Sequence, residues 1–321
     1  MGFRLPDRVR ETSTVTGAGD ATLLGAATRS RTFAAALPNF FYTVYCIEHQ
    51  TQNEWEIGLG QWTGSVLRRV QVLTSSNANA LVSFSAGTKD VFCCEQGDLI
   101  ARRLQRLYGY RNDFETTASD QALSSQVSGT GAANTAQATV LADNAIGLVR
   151  AALGTVATNR AALATVNMAI MNLGLGLAVF ASRGRIVTLS DATNTYTQRI
   201  GFLDSVSAEP TDGVFFRYTH SVNSGQYVCV ARSNGTETVV NTTVLAAANA
   251  FVELDIVVES GARASFYIND ARVAEVTTNI PVATGRELGF GKATIRSAGT
   301  AAVNEYDLDY IDVAQWLNTS R

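Results

Sequence analysis

The sequence predicts an all-β protein in two parts, a small N-terminal β domain followed by a β-sandwich of the jelly-roll kind. Three observations carry this expectation. Short runs of β-branched and aromatic residues recur along most of the chain, alternate with period two, and are separated by Gly, Asn and Ser turns. Only two stretches, 99–112 and 140–171, space their apolar residues as a helix would. The chain has 321 residues, 46% of them apolar, which at roughly 150 residues per domain allows two domains with real cores.

The elements follow in order. Thr12-Ser13-Thr14-Val15-Thr16 is a β-branched run closed by the turn residues 17–20. Residues 40–47 are rich in aromatic and β-branched side chains, and Trp55-Glu56-Ile57-Gly58-Leu59-Gly60 alternates as a half-exposed strand. Residues 70–74, 81–84 and 90–94 complete a β domain over 1–98. Leu99, Ile100, Leu104, Leu107 and Tyr108 then fall at near-helical spacing among Arg102, Arg103, Arg106 and Arg111. This makes 99–116 a connector, either irregular or carrying one short helix, whose arginines form a solvated face rather than a phosphate site. The third segment, 117–321, opens on a Ser/Thr/Ala/Gly-rich lead-in. Leu173, Leu175 and Leu177 alternate with Gly174 and Gly176 as a strand would. Further strands are expected at 185–189, 199–203, 214–218, 226–231, 238–243, 251–258, 264–268, 272–277 and 306–313. Many short strands at this spacing indicate a jelly roll.

Composition excludes several functions. Charged residues are 17% and the net charge is −3, so no basic stripe exists to displace counterions from nucleic acid. Lys89 and Lys292 are the only lysines. The only histidines, His49 and His220, are too far apart in sequence for a zinc signature, and no cofactor motif occurs. Cys46, Cys93, Cys94 and Cys229 match no redox or metal spacing and read as small buried or half-buried side chains; an inter-subunit disulfide is the alternative. Met1 to Pro6 carries no apolar leader, and Pro6 stands where a myristoylation motif takes Ser or Thr. The longest apolar stretch, 173–181, is far short of the ~20 residues of a membrane span. Sequons at Asn234, Asn241 and Asn318 matter only on a eukaryotic secretory route.

Three motifs in the first domain are familiar. Arg8-Val9-Arg10-Glu11-Thr12-Ser13-Thr14, Trp55 to Gly60, and Phe84-Ser85-Ala86-Gly87-Thr88-Lys89-Asp90-Val91-Phe92 resemble an N-terminal domain of virion appendage proteins of tailed bacteriophages. The second half resembles the concanavalin-like jelly rolls at the distal ends of phage fibres. That likeness rests on Ile200 to Asp204, Pro210 to Tyr218, Phe266 to Asn269, Thr277 to Pro281 and Asp309 to Asp312. The resemblance implies sheet over most of 140–171, against the helix that its alanine content favours.

Glycan hydrolases share this jelly roll, with acids arranged Glu-x-Asp-x-Glu on one strand. Here Glu253, Asp255 and Glu259 come close, but Glu253 and Glu259 lie six residues, about 20 Å, apart on a regular strand. Glycosidases need their carboxyl pair within about 5–9.5 Å. The alternation instead puts Leu254, Ile256 and Val258 in the core and Glu253 and Asp255 in water. Asp307, Asp309 and Asp312 lack an EF-hand spacing and read as solvent-facing acids on a terminal strand. No nucleophile elbow or phosphate loop occurs. No catalytic, cofactor-binding or metal residue is assigned, and a non-enzyme is expected.

The resemblance implies a structural virion component, a tail fibre or a head or neck spike located in the virion. Its partners would be itself, as a homotrimer, other virion proteins of tail, neck or capsid, and host-surface glycan, with no nucleic acid and no membrane insertion. A glycan-binding receptor-recognition module is the alternative reading, and a polysaccharide depolymerase the third. Trp55, Trp62 and Trp316 form no evident aromatic platform for sugar. The loops Asp204–Gly213, His220–Gly225 and Arg232–Thr236 are polar, as any sandwich surface is, so no ligand-binding residue is assigned.

Overall fold

The computed structural model describes residues 2–94, 107–114, 122–139, 143–156, 158–165, 169–220, 222–299 and 304–318. The chain divides into two compact units. The first comprises Met1–Leu107 with the segments Asp270–Arg272 and Leu317–Arg321; the second comprises Tyr108–Asn269 with Val273–Trp316.

The first unit holds β1 (Arg10–Ser13), β2 (Ala21–Thr22), a single-turn helix α1 (Phe33–Ala36), β3 (Tyr42–His49), β4 (Trp55–Trp62), β5 (Val66–Ser75) and β6 (Lys89–Cys93). The strands form one antiparallel sheet in the order β1-β6-β3-β4-β5-β2. Two side chains fix the short helix: Thr32 Oγ1 accepts from the Ala35 amide at 3.0 Å, and Glu11 Oε1 from the Phe33 amide at 2.6 Å. Strand β4 is not half-exposed as its alternation suggests; every residue from Glu56 to Trp62 is buried. The reason lies in its glycines. Gly58 faces Tyr45 across the ladder, and a Cβ there would stand 2.7 Å from Tyr45 Oη; a Cβ at Gly60 would stand 2.8 Å from the same ring. The glycines leave a slot for an aromatic ring, whereas the sequence pattern reads them as an open face. Nor do residues 81–84 form a strand. The Val82 amide donates to Glu56 Oε2 at 2.8 Å and its carbonyl accepts from Arg69 at 2.7 Å, so side chains take the groups a ladder would use.

The second unit is a two-sheet sandwich. Its strands are β7 (Leu107–Asn112), β8 (Leu123–Ser128), β9 (Ala133–Gln137), β10 (Leu148–Ala152), β11 (Arg160–Thr165), β12 (Leu177–Ile186), β13 (Tyr196–Leu203) and β14 (Gly213–Tyr218). They continue as β15 (Gln226–Ser233), β16 (Thr236–Leu245), β17 (Phe251–Glu259), β18 (Arg263–Ile268), β19 (Ala271–Val276), β20 (Gly289–Arg296) and β21 (Glu305–Trp316). One sheet runs β19-β18-β17-β12-β21-β10-β9, with β7 also on β21; the other runs β16-β15-β14-β13-β20-β11-β8. Aromatic edge contacts cross between them, Phe180–Phe202 at 5.8 Å and Phe216–Phe266 at 5.2 Å. Leu254, Ile256 and Val258 enter this core as the alternation predicts.

Several expectations change here. Residues 95–106, and with them most of the expected connector helix, lie outside the described residues. Its end, 107–112, is a strand rather than helix, and Arg111 pairs with Asp113 at 2.7 Å and Asp312 at 3.4 Å. The 140–171 region contains two strands, β10 and β11. The Leu173–Gly176 alternation is not strand but a turn before β12, with Gly176 at φ +88° and Leu175 exposed. Strand β20, central between β13 and β11, has no counterpart among the expected strands.

Strand β20 also makes one end of the interior polar. Lys292 sits opposite Leu163 and Ile200, and Thr294 opposite Ala161 and Gln198. Both lysines of the chain, Lys89 and Lys292, are 0% exposed. An amine-reactive ester should therefore leave both lysine-containing peptides unmodified in native protein and modify both after denaturation. Peptide mapping checks this, and native labelling at either site contradicts it.

Candidate functional site

Of the acids that the sequence singles out, Asp307 and Asp309 are buried and paired with arginines. Asp307 on β21 is fully buried: Arg150 on β10 donates to it at 2.7 and 3.0 Å, and Arg185 on β12 at 2.9 Å. Arg185 also reaches Asp143 at 2.7 Å. Arg183 pairs with Asp309, and both guanidiniums stack over Phe251 at 4.1 and 4.7 Å. The β12–β21 register shifts between Arg183 and Gly184, which leaves Asp309 as the extra residue. These acids are thus not solvent-facing as expected. Burial pushes the Asp309 and Asp312 carboxyls above their ordinary value, with Arg183 and Arg111 opposing.

Strand β17 also departs from expectation. Asp255 is 0% exposed rather than in water, because this outer face carries its own buried layer, including Val179, Ala181, Val257 and Tyr267. Glu253 pairs with Arg183 and Glu259 with Leu177, toward opposite ends of the β12 ladder. The structure does not bring the two glutamates together.

His49 has a local role. His49 Nδ1 accepts from the Thr51 and Gln52 amides at 3.1 and 3.2 Å, and Nε2 lies 3.1 Å from the Ala86 carbonyl, which fixes a turn. His220 is exposed in the other unit. Cys46 and Cys229 are buried, Cys93 and Cys94 half-buried, and all four are free thiols. Among the described residues no group of three or more His, Cys, Asp or Glu is placed to hold a metal ion. No helix of the described residues is long and apolar enough to cross a membrane. Trp62 is buried; Trp55 and Trp316 are half-buried.

Two of the three polar loops meet. Asp204 accepts from the Thr211 and Asp212 amides at 3.1 and 3.0 Å. Asp212 accepts from the Asn234 amide at 2.7 Å and from Arg286 at 2.8 Å. The loops 204–213 and 232–236 are thereby tied into one surface, with Val206 covering an apolar cluster that includes Leu203, Phe215 and Val230.

Beside that cluster stands an arrangement that sequence reasoning passes over. Arg199 on β13 faces Arg217 on β14 across the ladder, and Arg232 follows on β15. Glu209 of the 204–213 loop pairs with Arg199, lies 3.4 Å from Arg217 and 3.7 Å from Arg232. Glu237 on the edge strand β16 pairs with Arg217 at 3.1 Å and with Arg232 at 3.2 Å. Burial holds the Arg199 pKa below the ordinary arginine value, with Glu209 opposing and Arg217 and Arg232 adding to the depression. An arginine within or just beside each of three successive expected strands, 199–203, 214–218 and 226–231, was the available signal.

A family model described as SO2946-like, C-terminal domain, matches residues 144–309, just over half of the chain. The chain belongs to this family. The SO2946-like match runs from just before β10 into β21 and so lies within the sandwich. The Shewanella oneidensis MR-1 protein of unknown function SO2946 superposes with a TM-score of 0.52 at 13% identity, over 71% of this chain and 97% of that one. An endo-1,3-β-glucanase from Streptomyces sioyaensis gives 0.45 at 11% identity, over 66% and 97%. Peanut lectin gives 0.44 at 8%, over 66% and 99%. These likenesses are of fold, a concanavalin-like jelly roll; in this chain a small β unit precedes it in sequence. A search of curated proteins finds no match.

Proposed function

We propose that the chain is a structural component of a bacteriophage virion, a homotrimeric tail fibre or head or neck spike. The N-terminal unit docks on tail, neck or capsid proteins, and the jelly roll faces outward toward host-surface glycan. The observation that carries this reading is the division into two all-β units, with the appendage-like motifs gathered in the smaller one. Two of those motifs overlap β1 and β6, which are neighbours in its sheet. The reading is non-catalytic: Asp307 and Asp309 are engaged by arginines and serve as cross-strand ties.

Immunogold labelling and quantitative mass spectrometry of gradient-purified particles test the proposal. The expected result is the chain in intact particles, together with a trimer by light scattering of the full-length protein. Absence from purified particles overturns the virion role, and a monomer at micromolar concentration overturns the trimer.

A further inference from the structure

We propose that Arg199, Arg217 and Arg232 form a binding site for a carboxylate-bearing polysaccharide, with the Glu209 carboxylate occupying the ligand's place until a uronate displaces it. The inference rests on the reading of the jelly roll as the outward, glycan-facing unit, but its test is made on purified protein. Failure to bind therefore removes the site and leaves the virion role to the particle experiment.

The cluster carries more positive charge than its own carboxylates balance. Three guanidiniums share Glu209 and Glu237. Arginines placed directly across a ladder repel each other, and a fold gains nothing from that juxtaposition alone. The Arg199 side chain is only 7% exposed. Its Nε and Nη1, with Arg232 Nε, have no hydrogen-bond partner among the described residues. Buried donors of a charged group left unmade are costly, so an arriving acceptor is strongly rewarded.

The chemistry selects carboxylates. A guanidinium offers two parallel N–H donors to a planar carboxylate, and Glu209 already uses this fit. Glu209 is the replaceable member, because its side chain is 36% exposed and it stands on a loop rather than a strand. Turning it into water vacates a position within reach of all three arginines. The adjoining apolar cluster of Leu203, Val206, Phe215 and Val230 keeps the arginines in a low-dielectric setting that strengthens the exchange.

The test is calorimetric titration of full-length protein with polygalacturonate, dextran and sodium sulfate. Polygalacturonate is expected to bind at least about tenfold more tightly than dextran or sulfate, and to weaken as salt is raised. Glu209→Gln removes the internal competitor and should tighten binding by about tenfold. Arg217→Gln should weaken it by at least about tenfold, while Arg263→Gln, on the other sheet, changes nothing. Equal binding of dextran, equal binding of sulfate, or no binding by the wild-type protein overturns the site. Weaker binding by a Glu209→Gln protein of unchanged Tm overturns the displacement. Should Glu209→Gln not fold, the wild-type ligand preference and the Arg217→Gln titration decide between the same outcomes.

Discussion

Glu56→Ala is expected to destabilise the N-terminal unit by about 3–5 kcal/mol, the loss typical of breaking a buried ion pair by removing one partner. The Glu56 and Arg69 side chains are 0% and 1% exposed. Glu56 accepts four hydrogen bonds, from Arg69 Nε at 2.8 Å, Arg69 Nη2 at 2.5 Å, Tyr45 Oη at 2.5 Å and the Val82 amide at 2.8 Å. Alanine leaves a buried guanidinium with the carbonyls of Val82 and Gly19, at 2.7 and 3.1 Å, the Tyr45 hydroxyl and the Phe84 ring, but no charge to balance it, and removes the acceptor of the Tyr45 hydroxyl. The loss is large against a domain stability of about 5–15 kcal/mol. Trp55 and Trp62 lie in this unit and report its unfolding in a denaturant titration. Replacing both partners, Glu56→Leu with Arg69→Met, should cost clearly less than Glu56→Ala alone, because no charge is then left buried and unpaired. A double variant as unstable as the single one contradicts this account.

The same cluster shows where sequence reasoning stops. Alternation located β4, since hydrophobic periodicity is a local property. It could not tell that Gly58 makes room for Tyr45 or that Glu56 turns inward to Arg69, because both depend on strands distant in sequence. The jelly roll was legible for that reason too: its strands are short, alternating and closely punctuated. Strand β20 escaped because Gly289 and Gly291 contribute no apolar signal, and Lys292, Thr294 and Arg296 sit where a core face should show hydrophobic residues. The Leu173–Gly176 segment misled in the opposite direction, with alternation in a turn. Of the acids, Asp307 and Asp309 looked exposed because their arginine partners come from β10 and β12, more than a hundred residues away. The arginine cluster on β13, β14 and β15 was spelled out in the sequence, but only the pairing of those strands makes it one group.

The polar residues of β20 lead to the second large effect. Lys292→Met is expected to stabilise the sandwich at pH 7, by roughly 2–4 kcal/mol, with the gain shrinking as pH rises to 9. The Lys292 ammonium is 0% exposed, has no hydrogen-bond partner among the described residues, and lies 5.1 Å from the Tyr306 ring centroid. Burial lowers its pKa to about 7, with Asp307 opposing the shift. An unfolded chain returns the amine to about 10.4. Between those values the unfolded state holds more protons, so the wild-type protein gains stability as pH rises through that window. Below pH 7 both states are protonated and the penalty is complete. Methionine fills a similar volume with a flexible apolar chain and carries no proton, so it removes both the penalty and its slope. Above pH 9 the buried tyrosines and Cys229, held protonated by burial, impose the opposite slope. Chemical denaturation of both proteins from pH 6 to 9 is therefore the informative range. A stability difference that stays constant across it, or a Lys292→Met protein less stable than wild type at pH 7, contradicts a charge-bearing lysine in the core.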